Sequence, residues 1–204
     1  METINDSRFI DLGLPVKWAT CNIGANQPHE KGWLYAWGET RFKPLYMESN
    51  YKFGKEDNYG MFNYTKYKPK ESLMLNDDVA FKMMGKDAHI PSTREWDDLF
   101  YNCHREYKWI GGRKGILFTS LIKGYEGNSI FIPFAGTIEN GSIKREGENT
   151  IGLYWTNSIS FSFMEYAKAV DLSQICKSLE LPIENKYRWF GLPVRAVKTK
   201  VFRW

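Results

Sequence analysis

The sequence predicts an α+β domain in which a mostly antiparallel sheet packs against two helices. Three observations carry that prediction. Short β-type runs bounded by Gly and Pro occupy the start of the chain and most of its second half. Only two stretches, both near the middle, carry a capped helical start. Nothing resembling a linker divides the 204 residues, so residues 1–204 form one domain with a single sizeable core.

Taken in order, "RFIDLGLPVKWATCNIG" alternates around Gly13 and Pro15, which predicts two short strands broken by a turn. "GWLYAWGET" is a further short strand, and residues 41–70, rich in Tyr, Lys, Asn and Gly without helical period, form a long irregular stretch. "NDDVAFKMMG" is a short helix with Asn76, Asp77 and Asp78 as candidate N-caps and Gly85 as its stop. In "PSTREWDDLFYNCHREY", Ser92 and Glu95 form a capping box, and Trp96, Leu99, Phe100 and Cys103 recur at helical spacing, so all four should face the core. "GILFTSLIKGYEGNSIFIPFAG" is a hairpin turning at 124–128, with Ile130, Ile132 and Phe134 on one face. "GLYWTNSIS", "MEYAKAVDL" and "WFGLPVRAV" are three more strands, and "SQICKSLELPIENKYR" between the last two is a polar surface loop.

Composition narrows the function classes. Hydrophobic residues make up 43% and aromatic residues 16%, too many for a disordered chain. Large rings suit either a core or an exposed recognition face, and composition does not separate the two. A net charge of +4 gives no reason to expect nucleic acid. The short basic tail, 198–204, together with Lys186, Arg188 and Arg195 ahead of it, suits an anionic partner or simple solubility, and solubility is the expected reading. No stretch is apolar enough to span a bilayer, and no signal peptide opens the chain, which points to a virion or cytoplasmic protein unless a leader has been removed, in which case the cell surface.

The chemistry-bearing residues do not assemble into a catalytic set. Cys21, Cys103 and Cys176 allow at most one disulfide and make neither a disulfide scaffold nor a zinc site, and Cys21 and Cys103 read as small buried apolar residues. On a helix the neighbours Cys103 and His104 diverge by about 100° and cannot work as a pair. Asp77 and Asp78 suit the N-terminus of the first helix, and Asp97 and Asp98 suit the polar flank of the second. Glu146 and Glu148 in "REGENT" are the only candidates for calcium, and no metal or cofactor is expected.

Seven segments in this order, "FIDLGLPVKWATCNIGA", "GWLYAWGET", "LNDDVAF", "IPSTREWDDLFYNC", "EGNSIFIPFAG", "GLYWTNS" and "FGLPVRAV", together resemble the Fibrobacter succinogenes major paralogous domain family. That family is abundant in Bacteroidetes and their phages and is similar to C-type-lectin-like folds. The resemblance covers about residues 9–197. It departs at "GKDAHIPST", where the family usually carries a Gly-Gly-x-Trp-Arg run, and in lacking the family's usual secretion signal. The resemblance implies a C-type-lectin-like fold with long loops and with first and last strands side by side. The two GLPV copies, 13–16 and 191–194, would then lie near each other as a brace. Trp18, Trp33, Trp37, Trp96, Tyr154 and Trp155, inside the shared segments, would be core. Formylglycine-generating enzymes share this architecture but need two neighbouring thiols near the C-terminal end, where this chain has only Cys176.

In such a fold the late loops carry the ligand surface. Asn157, Phe161, Phe163, Asn185, Tyr187, Arg188 and Trp189 fall there, and rings beside an Arg and amides suit sugar stacking or a protein hot spot. The same rings could instead close the core beneath the loops. The expected function is therefore a non-enzymatic binding module for a glycan or protein at a bacterial or host surface, as a phage virion or fibre component in one version. The alternative is a structural assembly domain, a homo-oligomer, and an enzyme of unknown class ranks third.

Overall fold

The computed structural model describes residues 7–139, 141–142 and 145–200. Residues 1–6 of the amino segment and 201–204 of the basic tail, Arg203 included, lie outside the described residues. The architecture is α+β, with antiparallel sheets and two helices.

The opening segment gives β1 (Phe9–Ile10) and β2 (Val16–Ala19) as expected, with Gly13 at φ +79° in the intervening turn. β3 (Leu34–Tyr35) follows. The stretch 41–70, expected to be irregular, contains a hairpin of β4 (Gly54–Glu56) and β5 (Phe62–Tyr64), and it contributes Tyr46, Tyr51, Phe53 and Tyr67 to the core. Asp78 is the N-cap of α1 (Val79–Met84), its carboxylate accepting from the N–H groups of Ala80 and Phe81 and, 12 residues on, of Ile90. β6 (Ala88–His89) then leads to α2 (Thr93–Asn102), whose Ser92–Glu95 capping box forms as expected.

The second helix ends sooner than the apolar spacing suggests. Cys103 begins β7 (Cys103–Ile110), which pairs along its whole length with β8 (Arg113–Ser120) through a turn whose Gly111 and Gly112 both have positive φ. Cys103 and His104 still diverge, because successive strand side chains point to opposite faces. β9 (Ser129–Pro133) completes this sheet with Ile130 and Ile132 buried.

A further three-stranded sheet is formed by β10 (Leu153–Ile159), β11 (Tyr166–Asp171) and β12 (Ile183–Tyr187) in that order. β12 falls inside the segment expected to be a surface loop, because Ile175 and Leu181 anchor the excursion and return the chain to pair with β11. β13 (Leu192–Pro193) pairs with β3, and β14 (Val197–Thr199) lies between β2 and β6. The last strand thus lies beside β2, with β1 one strand further out, rather than beside the first strand, and the two GLPV copies are not neighbours. Val16 opposes Thr199, whereas Leu192 and Pro193 oppose Tyr35 and Leu34. The first copy supplies Leu14 and Val16 to one core cluster, and the second supplies Leu192 and Val194 to the other.

β10 and β11 separate those clusters. On one side Trp155, Ala167 and Ala169 meet Trp37, and on the other Tyr154, Val170 and Leu172 meet α2. Two indoles tie β10 to the β3 segment reciprocally: Trp37 Nε1 donates to Thr156 O (2.8 Å) and Trp155 Nε1 to Tyr35 O (2.7 Å). Trp18 meets Trp96 edge to face at 4.7 Å beneath α2. Of the six rings expected in the core, Trp33 alone is surface-exposed, at 41%, tilted against Phe42.

Candidate functional site

Most of the expected binding residues lie at the outer end of the β10–β11–β12 sheet. Tyr166 opposes Tyr187 across the β11–β12 ladder, and Lys168 opposes Asn185. Paired residues share a face, so these four side chains stand together, away from the side on which Ala167 and Ala169 pack. β10 carries a bulge between Trp155 and Ile159, with Thr156 Oγ1 donating to Lys168 O (3.0 Å), and beyond it the 160–165 turn brings Phe161 and Phe163 alongside.

The result is a strip of rings. Phe163 meets Tyr166 edge-on at 6.1 Å, Tyr166 meets Tyr187 at 4.6 Å, and Tyr187 stacks on Trp189 at 5.6 Å with 21° between planes. Phe161 stands beside them with Lys168 Nζ 3.6 Å from its centroid. Phe161, Phe163 and Tyr187 are 62%, 56% and 37% exposed. The hydrogen bond between the two phenols, with burial second, holds Tyr166 up at about 12. Partial burial lowers Lys168, which keeps its stem along the strip. Tyr166 and Lys168 were not among the expected site residues. Their signal was present, since both alternate with buried alanines in "YAKAV".

Two expected residues do not belong to this surface. Arg188 is 0% exposed. Its Nε donates to Tyr51 Oη (2.9 Å), its Nη1 to Met164 O (3.0 Å), and its guanidinium lies 5.0 to 5.7 Å from the ring centroids of Trp37, Tyr51, Tyr64 and Tyr67. It is a core cation in an aromatic cage, because the side chain following Tyr187 must point to the opposite face of the strand. Asn157 sits on β10, two strands from β12: its N–H donates to Pro91 O, its C=O accepts from Leu73, and its Oδ1 accepts from Ser158 Oγ (3.0 Å). Trp189 is divided between the two roles, packed on the core beneath and stacked with Tyr187 above. Asn185 is exposed as expected.

The other candidate chemistry is structural. Arg195, fully buried, donates from Nη1 to Ala19 O and from Nη2 to Phe131 O, both 3.0 Å, so neither it nor Arg188 serves the basic surface expected of the tail. All three cysteines are free, and burial pushes the Cys103 thiol up to about 12. Glu148 is held low, burial opposing, by hydrogen bonds from Lys31 (2.6 Å) and Arg113 (3.1 Å), which occupy the oxygens a calcium ion would need. Among the described residues no group of three or more His, Cys, Asp and Glu could hold a metal, and no helix is long and apolar enough to cross a membrane. Clefts of about 420 Å³ at Thr20–Asn26 and about 450 Å³ beside Cys103 and Cys176 lie away from the strip, which is an open face. No family model, curated protein or solved structure matches this chain.

Proposed function

We propose that the outer face of β11 and β12 is a recognition surface, and that the protein is a non-enzymatic binding module. The observation that carries this is the strip of Phe161, Phe163, Tyr166, Tyr187 and Trp189: five neighbouring rings, two of them more than half exposed, on a face whose reverse packs the core. Burying such rings against a partner is strongly favourable, and rings are what interfaces concentrate.

How the rings pack bears on the partner. Tyr187 lies between Tyr166 and Trp189, so its faces are covered and it offers its edge, while Lys168 covers one face of Phe161. A sugar stacking on ring faces finds them open only at the ends of the strip, at Phe161 and Phe163. A protein surface can use the whole strip, edges and hydroxyls included, which favours a protein partner and leaves a glycan as the second reading. The supported fold, α+β with β14 beside β2, fits the C-type-lectin-like reading and the family that the seven segments resemble, and a bacterial surface or phage particle suits such a module.

The test is Phe161→Ala with Phe163→Ala, which changes the surface without touching the core. Binding to bacterial cells, to their surface proteins or to a glycan array should be lost with the melting temperature unchanged. Binding that survives this variant would overturn the assignment.

A further inference from the structure

We propose that β12 is a dimerisation edge: two copies of this chain pair antiparallel across a two-fold axis through Asn185, joining two three-stranded sheets into one of six strands. β12 ends its sheet, and all of its residues except Lys186 are exposed. In an antiparallel ladder the N–H and C=O of one residue point the same way, and successive residues alternate. Arg188 N donates to Glu165 O (2.9 Å) and Asp171 N to Pro182 O (2.9 Å), so the main-chain groups of residues 182, 184, 186 and 188 face β11. Those of Ile183, Asn185 and Tyr187 face outward.

Charges on an edge strand ordinarily block pairing. Here the signs alternate, with Glu184 and Lys186 already paired at 2.9 Å, and the alternation selects one register. A register centred on Glu184 sets it against its own copy, and one centred on Lys186 does the same for the lysine. Centred on Asn185, Glu184 meets Lys186 of the second copy and Lys186 meets Glu184, each pair directly opposite.

The main chain accepts that register too, because it sets outward-facing residues against one another. Asn185 exchanges two hydrogen bonds with its symmetry mate, and each Tyr187 N–H reaches Ile183 C=O of the second copy. Tyr187 C=O can keep the bond it already accepts from Phe190 (3.0 Å). On the ringed face, Ile183 of one copy stands opposite Tyr187 of the other, so the apolar strip runs on across the axis. The longer end strand β7 is flanked instead by the 173–176 segment, to which Tyr107 Oη donates at Ser173 O (2.8 Å). The closed two-fold pairing consumes both edges and stops at the dimer.

Sedimentation velocity on the full chain, from about 10 to 500 μM, tests this. The expected result is a dimer for the native protein. Glu184→Lys alone or Lys186→Glu alone should weaken it by about tenfold or more, because like charges then face each other twice. Mixing these two variants in equal amounts should restore a dimer, since each lysine again meets a glutamate of the other chain. The pair within each chain stays like-charged in the mixture, so rescue cannot come from it. Asn185→Pro, which deletes an outward N–H and leaves the β11 ladder whole, should be monomeric. A native monomer throughout this range, a dimer that survives the single reversals and the proline, or a mixture that fails to re-form dimer would each overturn the proposal. Phe161 and Phe163 lie off this edge, so the outcome is independent of what the strip recognises.

Discussion

Arg188→Ala distinguishes a core cation from a ligand-facing one. The side chain fills a cage of four rings and makes two charge-assisted hydrogen bonds, to Tyr51 Oη and Met164 O. Each such bond is worth about 1.5–3 kcal/mol, and truncating a large buried side chain leaves a cavity that adds to the loss. Against this stands the expense of desolvating a guanidinium that no carboxylate among the described residues pairs with, several kcal/mol in itself. Setting these against each other, the variant should lose about 3–5 kcal/mol. Urea unfolding should show this as a lower midpoint with an unchanged slope, and the melting temperature should fall by roughly 6–20 °C. Arg188→Met, which removes the charge but keeps most of the volume, should lose less than the alanine variant. A loss below about 1 kcal/mol for Arg188→Ala, the usual size of a surface change, would refute the cage as a core element.

The remaining expectations concern the core, one cap and one titrating pair. Trp96→Ala, which empties the space against Trp18 and Tyr154, should lose about 3–5 kcal/mol in the same unfolding assay. Asp78→Ala leaves the N–H groups of Ala80, Phe81 and Ile90 without their acceptor and should lose about 2–3 kcal/mol, with Asp78→Asn in between. Burial lowers His89, but its 2.8 Å bond to Glu95 outweighs this and raises it above 6.5; burial raises Glu95, but His89 outweighs this and holds it below 4.5. The histidine's contribution is therefore complete below pH 6.5 and lost as pH rises through its folded value, while the glutamate's is complete above pH 4.5 and lost as pH falls through its own. Stability should peak between these limits, and His89→Gln should flatten the decline on the alkaline side. The Phe161→Ala, Phe163→Ala double variant should shift stability by no more than about 0.5 kcal/mol.

How much was legible depended on whether the signal was local. Ser92 and Glu95 spell out their helix start within four residues, and Ile130, Ile132 and Phe134 are buried as their spacing predicts, although Phe131 and Pro133 between them are buried too. The end of α2 was hidden because Cys103 satisfies both the helical spacing and the first inward position of β7. The signal that would have corrected it is Gly111–Gly112 between "REYKWI" and "KGILFTS", a two-glycine hairpin turn. β12 was obscured by its charges, which an edge strand tolerates and a loop shares. Arg188 was misplaced because proximity in sequence to Tyr187 and Trp189 suggested one surface, while strand alternation sends it through the sheet to rings 121 to 151 positions earlier. That cage is assembled from the 37–67 region, and no local pattern announces a contact of that length.

The most direct test of the recognition surface is binding of labelled protein to bacterial cells and to a glycan array, native chain against the Phe161→Ala, Phe163→Ala variant, with both shown to melt alike. The account predicts saturable binding by the native protein that the variant loses. Equal binding by the two, or no binding by the native protein to any cell, surface protein or glycan tried, would contradict it.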